Sequence, residues 1–169
     1  IGQGYVLATP LQLAVMTARL ATGRVVVPTL VKVGRERMPA GPIFPPLQIN
    51  PDGLDAVRRA MIGVVHAPDG TGGNAALDAG EVLIAGKTGT SQVWASGREA
   101  APKEERYELR DHALFVSFFP ATAPRYAVSL VVEHGGSGGQ TAAPLVRELA
   151  RLIIQEPSLA ANGVAEVIR

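Results

Sequence analysis

The sequence predicts an α+β fold, an antiparallel β-sheet packed by helices, and three observations carry that expectation. Two β-prone runs, His112 to Phe119 and Tyr126 to Glu133, are joined by Pro120 to Arg125, a length suited to a hairpin connection. Apolar residues recur at helical spacing behind Thr9-Pro10 and Asn50-Pro51, two starts in which a capping side chain is followed by proline. Hydrophobic residues make up 47% of the 169, enough for one domain with a real core.

Taken in order, Gly2-Gln3-Gly4 is a turn whose small residues let backbone come close to a neighbour. Thr9 caps the first helix, Pro10 suits its first position and Gln12 completes a capping box. Leu13, Met16, Thr17 and Leu20 come next at helical spacing, and Gly23 ends the run. Arg24 to Val33 is β-branched and extended, with Pro28 confining it to a sheet edge or a break between short strands. Pro39, Pro42, Pro45 and Pro46 then mark a loop.

Asn50 caps a second helix, whose apolar stripe is Leu54, Val57, Met61, Val64 and Val65. His66 falls near its C-terminus, where the helix dipole favours a partly positive ring over any catalytic use. Asp69 to Asn74 reads as a mobile, glycine-rich loop of the kind that borders binding sites. After the central run at Val82 to Val93 comes a charged stretch, Ser96 to Arg110, read as a solvated loop. Ala143-Pro144-Leu145 starts a terminal helix in which Leu145, Leu149, Leu152 and Ile153 should face the sheet. Ser158 to Arg169 gives no clear signal.

Sixteen basic against fifteen acidic residues leave a net charge of +1, so charge supplies no reason to expect nucleic acid as partner. Cysteine is absent, which removes disulfides and thiolate metal sites, and neither a metal nor a cofactor is expected. No apolar run approaches the ~18 residues of a membrane span. The chain starts at Ile1 inside what reads as a continuous segment, so it is expected to be a piece of a longer protein.

The chemistry gathers at Ala85-Gly86-Lys87-Thr88-Gly89-Thr90-Ser91-Gln92-Val93, behind Val82-Leu83-Ile84. On a strand running from Val82 to Val93, Lys87, Gly89 and Ser91 face one side and Thr88, Thr90 and Gln92 the other. Gly89 leaves room for a ligand beside the backbone, and N–H groups on a strand edge bind an oxyanion or an added peptide strand. A phosphate-binding loop fits poorly: five residues separate Gly80 from Gly86 where that motif has four, and the residues after Thr88 are β-prone, not helical. Gly135-Gly136-Ser137-Gly138-Gly139 imitates a hydrolase nucleophile elbow, but no aspartate or histidine comes after Ser137, and a flexible glycine turn is the better reading.

Lys87-Thr88-Gly89-Thr90 on a strand resembles the third motif of penicillin-binding proteins and serine β-lactamases. Gly2 to Ala14, Arg110-Asp111-His112-Ala113-Leu114-Phe115 and Val132-Glu133-His134-Gly135-Gly136 are similar, in the same order, to segments of class B penicillin-binding proteins of the penicillin-binding protein 2-like branch. The resemblance runs from Ile1 to about Gln155 and implies a partial penicillin-binding, serine β-lactamase-like transpeptidase fold. It implies a D,D-transpeptidase whose serine attacks the penultimate D-alanine of a peptidoglycan stem peptide and which also binds β-lactams. By the same resemblance Lys87 and Thr90 are catalytic, Lys87 through its positive field and Thr90 through an oxyanion-hole N–H. Thr88, Gly89, Thr90 and Ser91 bind substrate, the two threonine hydroxyls on the terminal carboxylate.

The family's nucleophile motif, Ser-x-x-Lys, is not found: the residues three before Lys32, Lys87 and Lys103 are Thr29, Ile84 and Ala100. Ser-x-Asn is missing too. Residues 1–169 are therefore expected to be the C-terminal portion of the transpeptidase domain, with the nucleophile upstream and the lone chain inactive. By the same resemblance, the full protein is expected at the periplasmic face of the bacterial inner membrane, anchored upstream, with a SEDS-type glycosyltransferase and elongation-complex proteins as partners. The isolated piece should self-associate through uncovered apolar surface, or act only as a peptide-binding module or a structural half needing complementation.

Overall fold

A computed structural model describes residues 6–30, 44–93 and 107–155. Within them the order is α1 (Pro10–Thr22), α2 (Pro51–His66), β1 (Ala85–Ser91), β2 (His112–Phe119), β3 (Tyr126–Val132) and α3 (Ala143–Gln155). The strands form an antiparallel sheet in the order β1-β2-β3, the α+β arrangement expected. Its centre is β2, the best-buried strand, and β1 lies at an edge.

Local chemistry sets the helix ends as the sequence requires. Thr9 and Gln12 form a reciprocal capping box, and Gly23, in the left-handed region at φ 68°, closes α1. Asn50 Oδ1 accepts from the amides of Asp52 and Gly53 at the start of α2. Arg58 of α2 donates to the carbonyls of Leu20 and Ala21, which the end of α1 would otherwise leave without helical partners. One guanidinium thus caps α1 and fixes the two helices together.

Alternation along β2 divides the core. Phe118, beside Ala85, packs with Ala21 of α1 and Met61 of α2. Ala113, Phe115 and Phe119 project into a second cluster with Ile84, Ala75, Ala142, Ala143, Val146 and Ala150. The three phenylalanines are fully buried, each contributing about 1.5–3 kcal/mol of apolar transfer. The site strand is therefore paired to the best-buried element of the fold.

Five expectations need correction. Arg24 to Val33 forms no strand in its described part: Arg24 makes an isolated bridge to Pro46, and the Val26 amide turns back onto the Arg24 carbonyl. Pro28, Pro45 and Pro46 carry no amides, so a ladder cannot propagate there; Val31, Pro39 and Pro42 lie outside the described residues. Val57 of α2 is exposed although it shares a side with Met61 and Val65, because burial along that side is confined to the second half of the helix. On α3, Leu145 and Leu152 are half exposed, and the buried positions are Ala143, Val146 and Ala150. The helix is entered through a π-helical turn, Gly138–Ala142. Finally, the central strand is shorter than Val82 to Val93, and β3 stops at Val132.

Ser117 is fully buried, and its hydroxyl has no hydrogen-bond partner among the described residues. Removing an unsatisfied buried hydroxyl relieves a desolvation cost. Ser117→Ala should leave the urea midpoint unchanged or raise it, by up to about 1 kcal/mol of stability at constant m, whereas Phe115→Ala should lower stability by about 3–5 kcal/mol in the same denaturation.

Candidate active site

The site strand is positioned from both ends and from one face. Its lead-in is held by α2: His66 Nε2 lies 3.1 Å from the Ile84 carbonyl, and since a carbonyl only accepts, that nitrogen carries the proton and donates. The imidazole at the helix end thus has a structural partner in addition to the dipole. Along its inner edge β1 pairs with β2 in a register that sets Lys87 opposite Val116, Thr88 opposite Phe115, Gly89 opposite Leu114, Thr90 opposite Ala113 and Ser91 opposite His112.

Because directly paired residues share a face, Lys87, Gly89 and Ser91 lie on the side of Phe118 and the α1–α2 cluster, while Thr88 and Thr90 lie on the side of Phe115. This is the alternation the sequence requires. Lys87 is exposed, and its Nζ donates to the Thr88 carbonyl at 2.8 Å. Thr90 and Ser91 are exposed and Thr88 and Gly89 half-buried. The chain continues as strand through Ser91, where a phosphate-binding loop would open a helix.

Gly138 and Gly139 supply the third constraint. Both are buried in the π-helical turn, and a Cβ at Gly138 would collide with the carbonyl oxygens of Leu114 and Gly89. A Cβ at Gly139 would collide with the Thr71 carbonyl and stand 3.6 Å from Thr88 Cγ2. The segment expected to be a flexible glycine turn is instead a close-packed plate against the side of the site strand that carries Thr88, because only glycine lets two backbones approach so nearly. Gly86 plays the same part toward Phe115, whose ring would lie 2.5 Å from an added Cβ.

The glycine-rich loop ahead of β1 does border the site, but it is held and not mobile. Its amides are tied to α2, Gly70 to the Ala67 carbonyl and Gly72 to the Val64 carbonyl. Asn74 Nδ2 donates to the Gly139 carbonyl at 2.9 Å, and the hydroxyls of Thr71 and Thr88 lie 3.0 Å apart. Sequence reasoning placed this loop near the site without picking out Thr71 or Asn74; the signal available was the adjacency of Gly72-Gly73 to polar residues able to bond backbone.

A second group that sequence reasoning missed closes the far end. The His134 amide donates to His112 Nδ1 at 2.9 Å, and His134 Nδ1 donates to the Arg110 carbonyl at 3.1 Å. The two rings stand edge to face with centroids 4.8 Å apart, and Tyr107 packs on His134 at 5.0 Å. His134 adopts φ 55°, rare for a residue with a side chain, in the turn that carries β3 toward Gly138. Among the described residues no group of three potential metal ligands gathers, and no helix is long and apolar enough to cross a membrane. The charged stretch from Ser96 lies outside the described residues as far as Arg106.

A Lys-Thr-Gly-Thr edge strand on an antiparallel sheet backed by helices defines a class, and the sequence match agrees with it. Residues 1–151 match the family described as the penicillin-binding protein transpeptidase domain, and the chain belongs to that family. Within it the chain is of the class B, PBP2/MrdA type. It is 37% identical over 158 residues to the peptidoglycan D,D-transpeptidase MrdA of Salmonella typhimurium, covering 88% of this chain and 25% of the relative. To MrdA of Acinetobacter baumannii it is 41% identical over 159 residues, covering 86% and 23%. The fold matches PBP2 of Helicobacter pylori in complex with MreC, with a TM-score of 0.72 at 30% identity over 92% of this chain and 26% of that one. It also matches Pseudomonas aeruginosa PBP2 in complex with WCK 5153, with a TM-score of 0.68 at 41% identity over 89% and 31%. The chain spans about a quarter of the length of the curated relatives it matches.

The plate behind β1 has a measurable consequence. Gly138→Ala forces the site strand or Leu114 to move, and should cost about 1–3 kcal/mol of stability. Hydrogen exchange should quicken first at the β1 amides around Gly89, while those of α1 keep their protection.

Proposed function

We propose that residues 1–169 are the C-terminal portion of a peptidoglycan D,D-transpeptidase domain, in which β1 forms one wall of the acyl-transfer site and the serine is supplied by the part of the protein that precedes it. The observation that carries this reading is the edge position of Lys87-Thr88-Gly89-Thr90 in a chain of this family. A serine Oγ attacks the carbonyl of the penultimate D-alanine and gives up its proton. The terminal D-alanine departs with a proton, and an amine from a neighbouring stem peptide then displaces the serine. Lys87 favours the serine alkoxide and the developing oxyanion by its charge, and the Thr90 N–H is one of the two oxyanion donors. Thr88 and Thr90 hydroxyls take the terminal carboxylate of the stem peptide or of a β-lactam, with Gly89 leaving room for the ligand and Ser91 extending the binding edge.

The relatives named D,D-transpeptidase support this activity, and the PBP2–MreC complex supports an elongation-complex setting. The full protein then works at the periplasmic face of the inner membrane, anchored upstream, beside a SEDS-type glycosyltransferase. The outer side of α1 favours completion by the preceding part of the domain. Leu11, Val15, Met16 and Leu20 line an open groove with Pro28 and Leu47, and Val6 and Leu7 are 87% and 95% exposed. Apolar surface of this kind calls for cover; lacking it, the isolated piece self-associates.

Two measurements test the reading. A fluorescent penicillin should leave no covalent label on residues 1–169 alone after denaturation, and a stable adduct would overturn the division of the site. In the full-length protein, Lys87→Ala should lower the acylation rate by roughly 10²-fold or more; an unchanged rate would remove β1 from the chemistry.

A further inference from the structure

Thr71 and Thr88 face one another with hydroxyl oxygens 3.0 Å apart, and either oxygen is able to donate. Thr71 stands on a fixed mount. The amides on either side of it, at Gly70 and Gly72, are bonded to the carbonyls of Ala67 and Val64 at the end of α2, at 2.9 and 2.8 Å. Its own carbonyl abuts Gly139, and Gly72 is buried against Phe115 and Val64, where a Cβ would be crowded at 3.0–3.2 Å. Thr71 itself remains exposed at the mouth of this arrangement, on the side of β1 that carries Thr88 and Thr90.

A hydroxyl has one proton, and a carboxylate accepts protons without offering any. If Thr88 spent its proton on Thr71, it would present only lone pairs to an anion. When Thr71 donates to Thr88, the Thr88 proton is released toward the ligand, and the hydroxyl is polarised into a better donor. An anionic ligand therefore selects one of the two directions of this bond. We propose that Thr71 is a positioning residue for ligand carboxylates: its hydroxyl donates to Thr88 Oγ1 and so aims the Thr88 proton at the anion. This rests on the reading that Thr88 meets the ligand's carboxylate, and it adds a residue from outside the Lys-Thr-Gly-Thr strand to that recognition.

The test uses the full-length protein with benzylpenicillin and its uncharged methyl ester, with apparent binding and limiting acylation rate measured separately. Thr71→Val, which keeps the shape and removes the hydroxyl, should weaken apparent binding of the acid by roughly three- to tenfold. The limiting rate, the melting temperature and the response to the ester should be unchanged. Thr71→Ser should restore binding of the acid. Equal loss for acid and ester, no loss in Thr71→Val, or a serine variant that behaves like valine would each overturn the proposal. Thr88→Val in the same assay separates the two levels. If it abolishes the preference for acid over ester while Thr71→Val does not, the role of Thr71 alone fails. If Thr88→Val leaves the preference intact, the carboxylate reading of Thr88 falls, and that of Thr71 with it.

Discussion

The close approach of Gly138 and Gly139 to the backbones of β1, β2 and the Thr71 loop is the constraint on which the rest of the site depends. A strand at the edge of a sheet has half its hydrogen-bonding capacity turned outward and is normally the least defined part of the structure. Here β2, fully buried at Phe115, Phe118 and Phe119, holds one edge of that strand, and the π-helical turn presses on the side that carries Thr88. The turn is in turn pinned by the Asn74–Gly139 bond and by Thr141, whose hydroxyl donates to the Gly135 carbonyl at 2.7 Å. An edge strand is thereby braced like a core strand without being covered.

Rigidity of this sort suits acyl transfer. Donors aimed at a developing oxyanion stabilise it most when they need not reorganise as charge appears. His66 at the lead-in and the His112–His134 pair at the far end fix the two ends of the same run. Lys87 and the threonines are left pointing to opposite faces of one strand, so cationic and hydroxyl functions are separated by the pleat itself and not by loop conformation.

Much of this was legible in the sequence because it is local. Capping chemistry fixed the starts of α1 and α2 at Thr9-Pro10 and Asn50-Pro51, and alternation fixed which side of β1 each site residue occupies. What escaped was set by contacts between distant segments. Leu145 and Leu152 satisfy helical periodicity, yet the side of α3 that packs inward carries Val146 and Ala150. Val25 to Val27 have the composition of a strand but meet prolines that cannot continue a ladder. Gly138-Gly139 looked like slack because glycine reports two opposite things, freedom and tight packing, and only the neighbour decides which. The Thr71–Thr88 pair joins residues seventeen apart, and no spacing rule marks it.

The glycine plate also limits how this region can diverge. Gly86, Gly138 and Gly139 exclude even a methyl group, and Gly89 would bring a Cβ to 3.2 Å from Leu114. Sequence drift on the strand or behind it is therefore met by steric refusal, whereas Ser91, Gln92 and the loop tip at Thr71 are solvent-facing and under no such steric restriction. On the proposed reading, adaptation to a new ligand would be steered toward the rim around β1, with the close-packed strand itself inherited almost unaltered.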